Sequence, residues 1–147
     1  MNITKFLNKV YFAPRLKEIE QYTSHAGELQ QLVLQRLIRT AANTEWGKKY
    51  DYTSIRTYED FKKRLPIQTY EEVKPYVTRL RAGEQNLLWP SEIRWFAKSS
   101  GTTNDKSKFL PVSRESLHDT HYKGGRDAVA IYLGPVSYTH LRAHETS

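Results

Sequence analysis

The strongest constraint on the fold is a change of residue pattern close to residue 93. Before this point, apolar residues recur at the three- and four-residue spacing of amphipathic helices. Residues 93–97 and 109–112 instead suit two short strands, and residues 99–107 between them are almost all small or polar. We therefore predict an α/β fold in which a mostly helical segment leads into one strand–loop–strand unit.

Two helices are predicted before Gly47. The first is broken or restarted at Pro14, because proline cannot continue a helix through its interior. Ser24 can cap the second helix, which ends between Asn43 and Gly47. The apolar face of this second helix is predicted to consist of Leu29, Leu32, Val33, Leu37 and Ala41.

Two shorter helices are predicted before the strands. Thr57 opens one of them, which ends before Pro66. Thr69 opens the other, and Glu72 stands three residues later, where it completes a capping box. Gly83 is expected to end this helix, since glycine favours the backbone conformation found after a helix C-terminus.

A last helix is predicted to begin at Ser113 and to run to about Leu133, with Gly134–Pro135 as its stop. Gly124 and Gly125 lie inside it, and each costs about 1 kcal/mol of helix stability relative to alanine. We therefore expect another part of the protein to pack against the backbone at these two glycines.

Composition excludes several classes of protein. The 147 residues contain no cysteine, so disulfide scaffolds, cysteine zinc sites and iron–sulfur clusters are excluded. The longest apolar run, Ala128–Leu133, is too short to span a membrane. The net charge of +7 has its two signs interleaved along the chain, which is typical of solvated helix faces. We predict a cytoplasmic protein that binds neither membranes nor nucleic acids.

The loop between the predicted strands combines hydroxyl side chains, one glycine and a lysine. Such a loop can direct backbone N–H groups and hydroxyls toward an anion, and a lysine adds positive charge. The same composition is also common in plain turns, so polyphosphate binding and a plain turn both stay open on composition alone. The pattern GxxxxGK[ST] is absent, which excludes an ordinary P-loop NTPase. The candidate residues are Ser99, Ser100, Gly101, Thr102, Thr103 and Lys108.

The run from Phe96 to Ser113 resembles the first ATP/AMP-binding motif of the auxin-responsive acyl-acid amido synthetase family, a branch of the adenylate-forming superfamily. The wider superfamily usually has glycine after the paired threonines and proline before the lysine. Asn104 and Ser107 take those places here, which fits the amido synthetase branch better. Four flanking segments also resemble that family, especially its bacterial members: residues 46–50, 61–67, 70–76 and 121–127.

The resemblance covers residues 1 to about 134 and implies an acyl-adenylate synthetase-like fold, of which 1–134 is an incomplete amino-terminal part. The full-length enzyme would be an ATP-dependent acid–amino acid ligase. It would adenylate a carboxylic acid with ATP and Mg²⁺, release pyrophosphate and let an amino-acid amine attack the acyl-adenylate. This chain alone is expected to be inactive.

The resemblance also implies roles for the loop residues. The hydroxyls of Ser99, Ser100, Thr102 and Thr103 would donate hydrogen bonds to the β- and γ-phosphates. Gly101 would allow the turn, and Lys108 would supply charge. No catalytic residue and no metal ligand is assigned.

The last twelve residues, 136–147, resemble a translated sequencing adapter, and we predict a non-native tail over 135–147. His140 and His144 have a spacing that could place them on one helix face for zinc. They lack the HExxH order of zinc proteases, so zinc is not predicted.

A different class of function is also compatible with the composition. A basic nucleic-acid-binding or helical adaptor module would use the +7 charge on phosphate backbones, and its binding would weaken steeply with salt. A remnant that keeps the loop without turnover is a third possibility. Trp46, Trp89 and Trp95 are predicted as core or interface anchors, because no basic stripe accompanies them.

Overall fold

The computed structural model describes residue 6, residues 8–100 and residues 107–133. Its contacts divide the chain into two compact units. One consists of Met1–Leu29 together with His118–Ser147, and the other of Gln30–Leu117.

The first unit contains a π-helical turn, Asn8–Phe12, followed directly by helix α1, Ala13–Ser24. Pro14 lies in the first turn of α1, where its missing N–H costs no helical hydrogen bond, so the predicted restart is confirmed. Arg15 is buried in this unit and contacts Asp127. Burial of a guanidinium requires such a partner, because an isolated charge is costly to remove from water.

Ser24 does not cap the second helix, so that prediction is wrong. It is the last residue of α1, and its hydroxyl donates to the carbonyl of Gln21 at 3.4 Å. Helix α2 spans Ala26–Ala41, and His25 separates the two helices. The serine therefore acts at the end of the preceding helix.

Helix α2 buries only part of the face that its apolar residues predict. Ala41 is buried and Leu29 is partly buried, as predicted, whereas Leu32, Val33 and Leu37 are 66%, 46% and 43% exposed. Ile38, which was not predicted, is also buried. The difference has a polar cause, since Gln31 and Gln35 both donate from their side-chain amides to the carbonyl of Arg56. Gln31 and Gln35 therefore lie on the side of α2 that contacts the rest of its unit. A pattern of apolar residues cannot predict this, because it does not include glutamine.

Three helices follow in the second unit: α3, Glu45–Lys49; α4, Tyr58–Arg64; and α5, Tyr70–Arg81. A 3₁₀ turn, Tyr52–Ser54, lies between α3 and α4. Thr57 caps α4, with Asp60 completing a capping box. These boundaries confirm the two short helices that capping residues predict.

Both ends of α5 carry the predicted signals. The carboxylate of Glu72 accepts from the backbone N–H of Thr69 at 2.6 Å and from its hydroxyl at 2.8 Å. At the other end, Gly83 has φ +100°, a value that glycine adopts without strain. Its N–H donates to Leu80, and the N–H of Glu84 donates to Arg79, which together form a Schellman motif.

A small apolar core in the second unit is centred on Leu80, Leu87 and Ile93. Tyr76, Leu88, Trp89 and Phe96 pack around it. Trp46 is buried and Trp89 partly buried, as anchors should be, whereas Trp95 is mostly exposed. The prediction is therefore confirmed for the first two tryptophans, and Trp95 is not buried.

Two antiparallel strands follow the core: β1, Trp95–Lys98, and β2, Phe109–Val112. In their register, Trp95 pairs with Val112 and Lys98 with Phe109. The second strand has the predicted bounds. The first begins two residues later than predicted, because the backbone of Ile93 is bound by the side chain of Gln85 instead of by a strand.

The last helix begins as predicted, because the Ser113 hydroxyl accepts from the N–H of Ser116 at 3.0 Å. It is α-helical over Arg114–Ser116, π-helical over Leu117–Tyr122 and α-helical again over 123–133. Among residues 8–100 and 107–133, nothing packs against its two glycines as expected, since a Cβ on Gly124 or Gly125 would meet no described atom within 4 Å. Across the described residues, no helix is both long enough and apolar enough to cross a membrane.

Candidate functional site

The root of the predicted phosphate loop is fixed by two hydrogen bonds between the same two residues. The backbone N–H of Ser99 donates to the carbonyl of Lys108 at 3.0 Å. In return, the N–H of Lys108 donates to the hydroxyl of Ser99 at 3.1 Å. The serine side chain therefore takes the place that a backbone carbonyl would have in a continued ladder, and the ladder ends at this pair.

The outer edge of β2 is bound by a residue of α5. Because Ser99 and Lys108 form a hydrogen-bonded pair, the next pair, Lys98 and Phe109, is a non-hydrogen-bonded one, and the backbone of Phe109 faces away from β1. The hydroxyl of Tyr70 accepts from the N–H of Phe109 at 3.0 Å and donates to its carbonyl at 3.5 Å. A single phenol thus satisfies both outward groups of this residue.

The same outward position explains how a proline fits inside β2. Pro111 pairs with Phe96 and, two residues after Phe109, also presents its backbone to the outer edge. A proline there removes no ladder hydrogen bond.

Two cations lie over aromatic rings beside the root of the loop. The ammonium of Lys108 is 5.6 Å from the ring centre of Tyr70. The guanidinium of Arg81 is 3.9 Å from the ring centre of Phe109. Tyr70 is the first residue of α5 and Arg81 the last, so the two ends of one helix hold the residue at which β2 begins.

The start of the last helix is tied to the segment before β1. The carboxylate of Glu115 accepts from the hydroxyl of Ser91 at 2.7 Å and from the indole N–H of Trp89 at 3.2 Å. These hydrogen bonds, the one from Ser91 above all, lower the pKa of Glu115. The carboxylate therefore fixes the chain on both sides of the hairpin.

The structure places three of the six predicted site residues. Ser99 and Lys108 are partly buried and in contact, and Ser100 is exposed beside them. Gly101, Thr102 and Thr103 lie outside the described residues, so phosphate binding by the loop stays a prediction. No group of three or more acidic or histidine side chains that could hold a metal ion occurs within residues 8–100 and 107–133.

Ion pairs with carboxylates account for part of the positive charge in the described part of the chain. They involve the charged groups of Arg15, Lys62, Arg64, Lys74, Arg79 and Arg94. The interpretation of the charge as solvated helix faces stays a prediction, and nucleic-acid binding stays an untested alternative.

Tyr70, Arg81 and Glu115 were not among the predicted site residues. Each is separated from its partner by at least 24 positions in sequence, so the partners could not be assigned without the fold. The capping threonine before Tyr70 gives the start of α5, but it carries no information about β2.

Comparison with known proteins decides the family. The sequence model of the GH3 family N-terminal domain matches residues 15–141. This chain belongs to the GH3 family. The match extends past residue 134 and gives no support to a non-native tail beginning at residue 135.

Relatives of this GH3 chain include amido synthetases with two kinds of acid in their names. Indole-3-acetic acid-amido synthetase GH3.5 of Arabidopsis thaliana is 32% identical over 104 residues, which is 70% of this chain and 17% of that protein. Jasmonoyl--L-amino acid synthetase JAR4 of Nicotiana attenuata is 30% identical over 106 residues, which is 71% of this chain and 18% of that protein. These relatives do not support the closer resemblance to bacterial members.

A solved structure also resembles the GH3 chain. The GH3.15 acyl acid amido synthetase matches 80% of it with a TM-score of 0.71 and 25% sequence identity. The mostly helical architecture with a small antiparallel sheet is therefore that of this enzyme's corresponding part. The chain spans about a fifth of the length of the GH3.15 protein, and less of the two relatives above.

Proposed function

We propose that the chain is the amino-terminal part of the adenylation domain of an ATP-dependent acyl-acid amido synthetase. The observation that carries the proposal is the hairpin root, in which Ser99 and Lys108 hold together the two ends of a hydroxyl-rich loop in a GH3 chain. Joining the two ends of a loop beforehand lowers the entropic cost of arranging its N–H and hydroxyl groups around a phosphate.

The donor chemistry at the root suits the phosphates of ATP. The Ser99 hydroxyl accepts from the N–H of Lys108, which leaves its own proton available to a ligand. Ser100 is exposed, and Lys108 brings a cation to the same end of the hairpin. We assign these three residues, with Gly101, Thr102 and Thr103, to holding the β- and γ-phosphates.

Positioning is the part of the reaction that these residues supply. A carboxylate resists nucleophiles, and its conversion to an acyl-adenylate provides AMP as a leaving group. Holding the outer phosphates orients the α-phosphate for in-line attack by the carboxylate, with pyrophosphate departing. Mg²⁺, when bound to the nucleotide, neutralises phosphate charge.

The proposed substrates are a small carboxylic acid and an amino acid, by analogy with the acids and amino acids in the names of the relatives. Because the chain spans about a fifth or less of those proteins, we propose that the remaining machinery lies elsewhere in a longer polypeptide. The 147-residue chain should then show no pyrophosphate release with ATP and mixed carboxylates. Robust turnover by the chain alone would contradict this assignment.

Replacing Lys108 in the complete protein tests the phosphate-binding role. Lys108→Ala should lower carboxylate-dependent ATP–pyrophosphate exchange by about 100-fold, the usual cost of losing one group that stabilises transferred charge. Lys62→Ala is the matched control, because it removes a lysine whose partner is the exposed Glu59. Equal activity of the two variants, at equal thermal stability, would exclude the role proposed for Lys108.

A further inference from the structure

Tyr70 contacts two consecutive residues at the root of the loop in two different ways. Its hydroxyl binds the outward N–H and carbonyl of Phe109, and its ring lies under the ammonium of Lys108. We infer that Tyr70 is a positioning residue that directs the Lys108 ammonium toward a phosphate ligand. This inference rests on the proposed function.

The hydrogen bonds to Phe109 fix where the tyrosine ring lies. An N–H and a carbonyl on the outer edge of a strand need partners, and the phenol provides one acceptor and one donor. Once the hydroxyl is held at that edge, the ring extends from α5 toward β2 along a defined line. Its face is then presented to the side chain of the preceding residue, Lys108.

Lysine benefits from such a guide more than arginine does. Its ammonium is a point charge on a flexible four-carbon stem, so an unguided lysine loses rotamer freedom when it binds a phosphate. The electron-rich face of the Tyr70 ring attracts the ammonium and removes part of that freedom beforehand. The bound state then costs less to form, which is the general effect of preorganisation.

The support of Tyr70 is itself rigid. It is the first residue of α5, next to Thr69, which the Glu72 carboxylate holds by two hydrogen bonds. Further along the helix, the side chains of Val77 and Leu80 are buried. The tyrosine therefore stands on a helix that is fixed at its start by a cap and further along by the core.

Two substitutions separate the two contacts. Tyr70→Phe removes the hydroxyl and keeps the ring, whereas Tyr70→Leu removes both. Tyr58→Leu is a matched control. Tyr58 also lies under a lysine, with the Lys62 ammonium 5.2 Å from its ring centre, but both residues belong to helix α4 and neither contacts the hairpin root through this pair.

The first measurement reports on Lys108 directly in the 147-residue chain. After reductive methylation with ¹³C-formaldehyde, the dimethyl-lysine signal of Lys108, identified by its loss in Lys108→Arg, should be shifted upfield by the ring. Tyr70→Leu should abolish that shift and Tyr58→Leu should not. An unchanged Lys108 signal in Tyr70→Leu would overturn the inference.

The second measurement is steady-state adenylation by the complete protein. Tyr70→Leu should raise KM for ATP at least about three-fold, with a smaller rise for Tyr70→Phe and none for Tyr58→Leu. A positioning role predicts that KM changes more than kcat, which simple loss of folded enzyme would not produce. If Lys108→Ala abolishes adenylation and Tyr70→Leu leaves KM unchanged, the inference alone fails. If Lys108→Ala has no effect, the proposed function fails and the inference with it.

Discussion

Arg15 donates two hydrogen bonds to the carboxylate of Asp127, which lies 112 residues later in the chain, with N–O distances of 2.6 and 2.7 Å. The arginine is only 6% exposed, and its guanidinium also contacts Glu18 and the hydroxyl of Tyr22. This geometry raises the pKa of Arg15 and lowers that of Asp127, in each case chiefly through their mutual hydrogen bond. The pair joins the start of the chain to its last helix.

Removing the charge of Asp127 should destabilise the unit that contains both residues. Asp127→Asn leaves a buried guanidinium without its principal counter-ion, and we expect the free energy of unfolding to fall by roughly 3 kcal/mol. Glu18→Gln is the control, because Glu18 contacts the same arginine but is 63% exposed, and it should cost little. Urea titrations of the two variants compare them, and equal losses would contradict the dominant role of Asp127.

The same pair predicts a dependence of stability on pH. The folded pKa of Asp127 lies below its ordinary value of 3.8. The stabilisation of the folded state by the ionised Asp127 carboxylate is therefore complete above pH 3.8, and it is lost as the pH falls through the folded pKa. The difference in unfolding free energy between wild type and Asp127→Asn should be constant near neutrality and shrink at the lowest pH values. A difference that grows on acidification would have the wrong sign.

Gly47 should tolerate no side chain. A Cβ there would lie deep inside van der Waals contact with the carbonyl oxygen of Ala41 and 2.9 Å from that of Ala42, both of which are backbone atoms. Gly47→Ala should therefore cost about 1–3 kcal/mol, the usual range for overpacking in a folded core. Thermal unfolding followed by circular dichroism measures this loss.

Gly124→Ala should have the opposite effect on thermal stability from Gly47→Ala. The position is helical and a Cβ there meets nothing within 4 Å, so the substitution should stabilise the chain by about 0.5–1 kcal/mol. A destabilising effect at Gly124 would indicate that another surface approaches this helix, which is what the sequence predicts and the described residues do not show.

Ser99→Ala should weaken the root of the loop at one identifiable group. The substitution removes the acceptor for the N–H of Lys108 and keeps the backbone bond from residue 99 to the Lys108 carbonyl. Loss of about 1 kcal/mol corresponds to roughly five-fold faster hydrogen exchange of the Lys108 amide. Ser100→Ala is the control, since Ser100 is exposed next to it, and exchange at Lys108 should then be unchanged. Equal exchange in both variants would exclude the Ser99 hydroxyl as the group that protects this amide.

Features with local causes could be predicted from sequence. Thr57, Thr69 and Ser113 each stand at the start of a helix because a side-chain oxygen or a nearby carboxylate satisfies N–H groups within four residues. The bounds of β2 follow equally from a short apolar run before a capping serine. Such signals are complete within a few residues, so no knowledge of the fold is needed.

Features that depend on distant partners could not be predicted. The buried face of α2 is set by the carbonyl of Arg56, the outer edge of β2 by Tyr70 and the burial of Arg15 by Asp127. None of these partners can be identified from periodicity. For the candidate site, the motif gave Ser99 and Lys108, whereas the supporting tyrosine 39 positions from Phe109 required the structure.

The two residues at the outer edge of β2 restrict how the sheet can grow. Pro111 has no N–H to offer, and the hydroxyl of Tyr70 already occupies the backbone groups of Phe109. A third strand could therefore be added only beside β1. Pro111 and the Tyr70 hydroxyl together determine the side on which a larger sheet could extend from this hairpin.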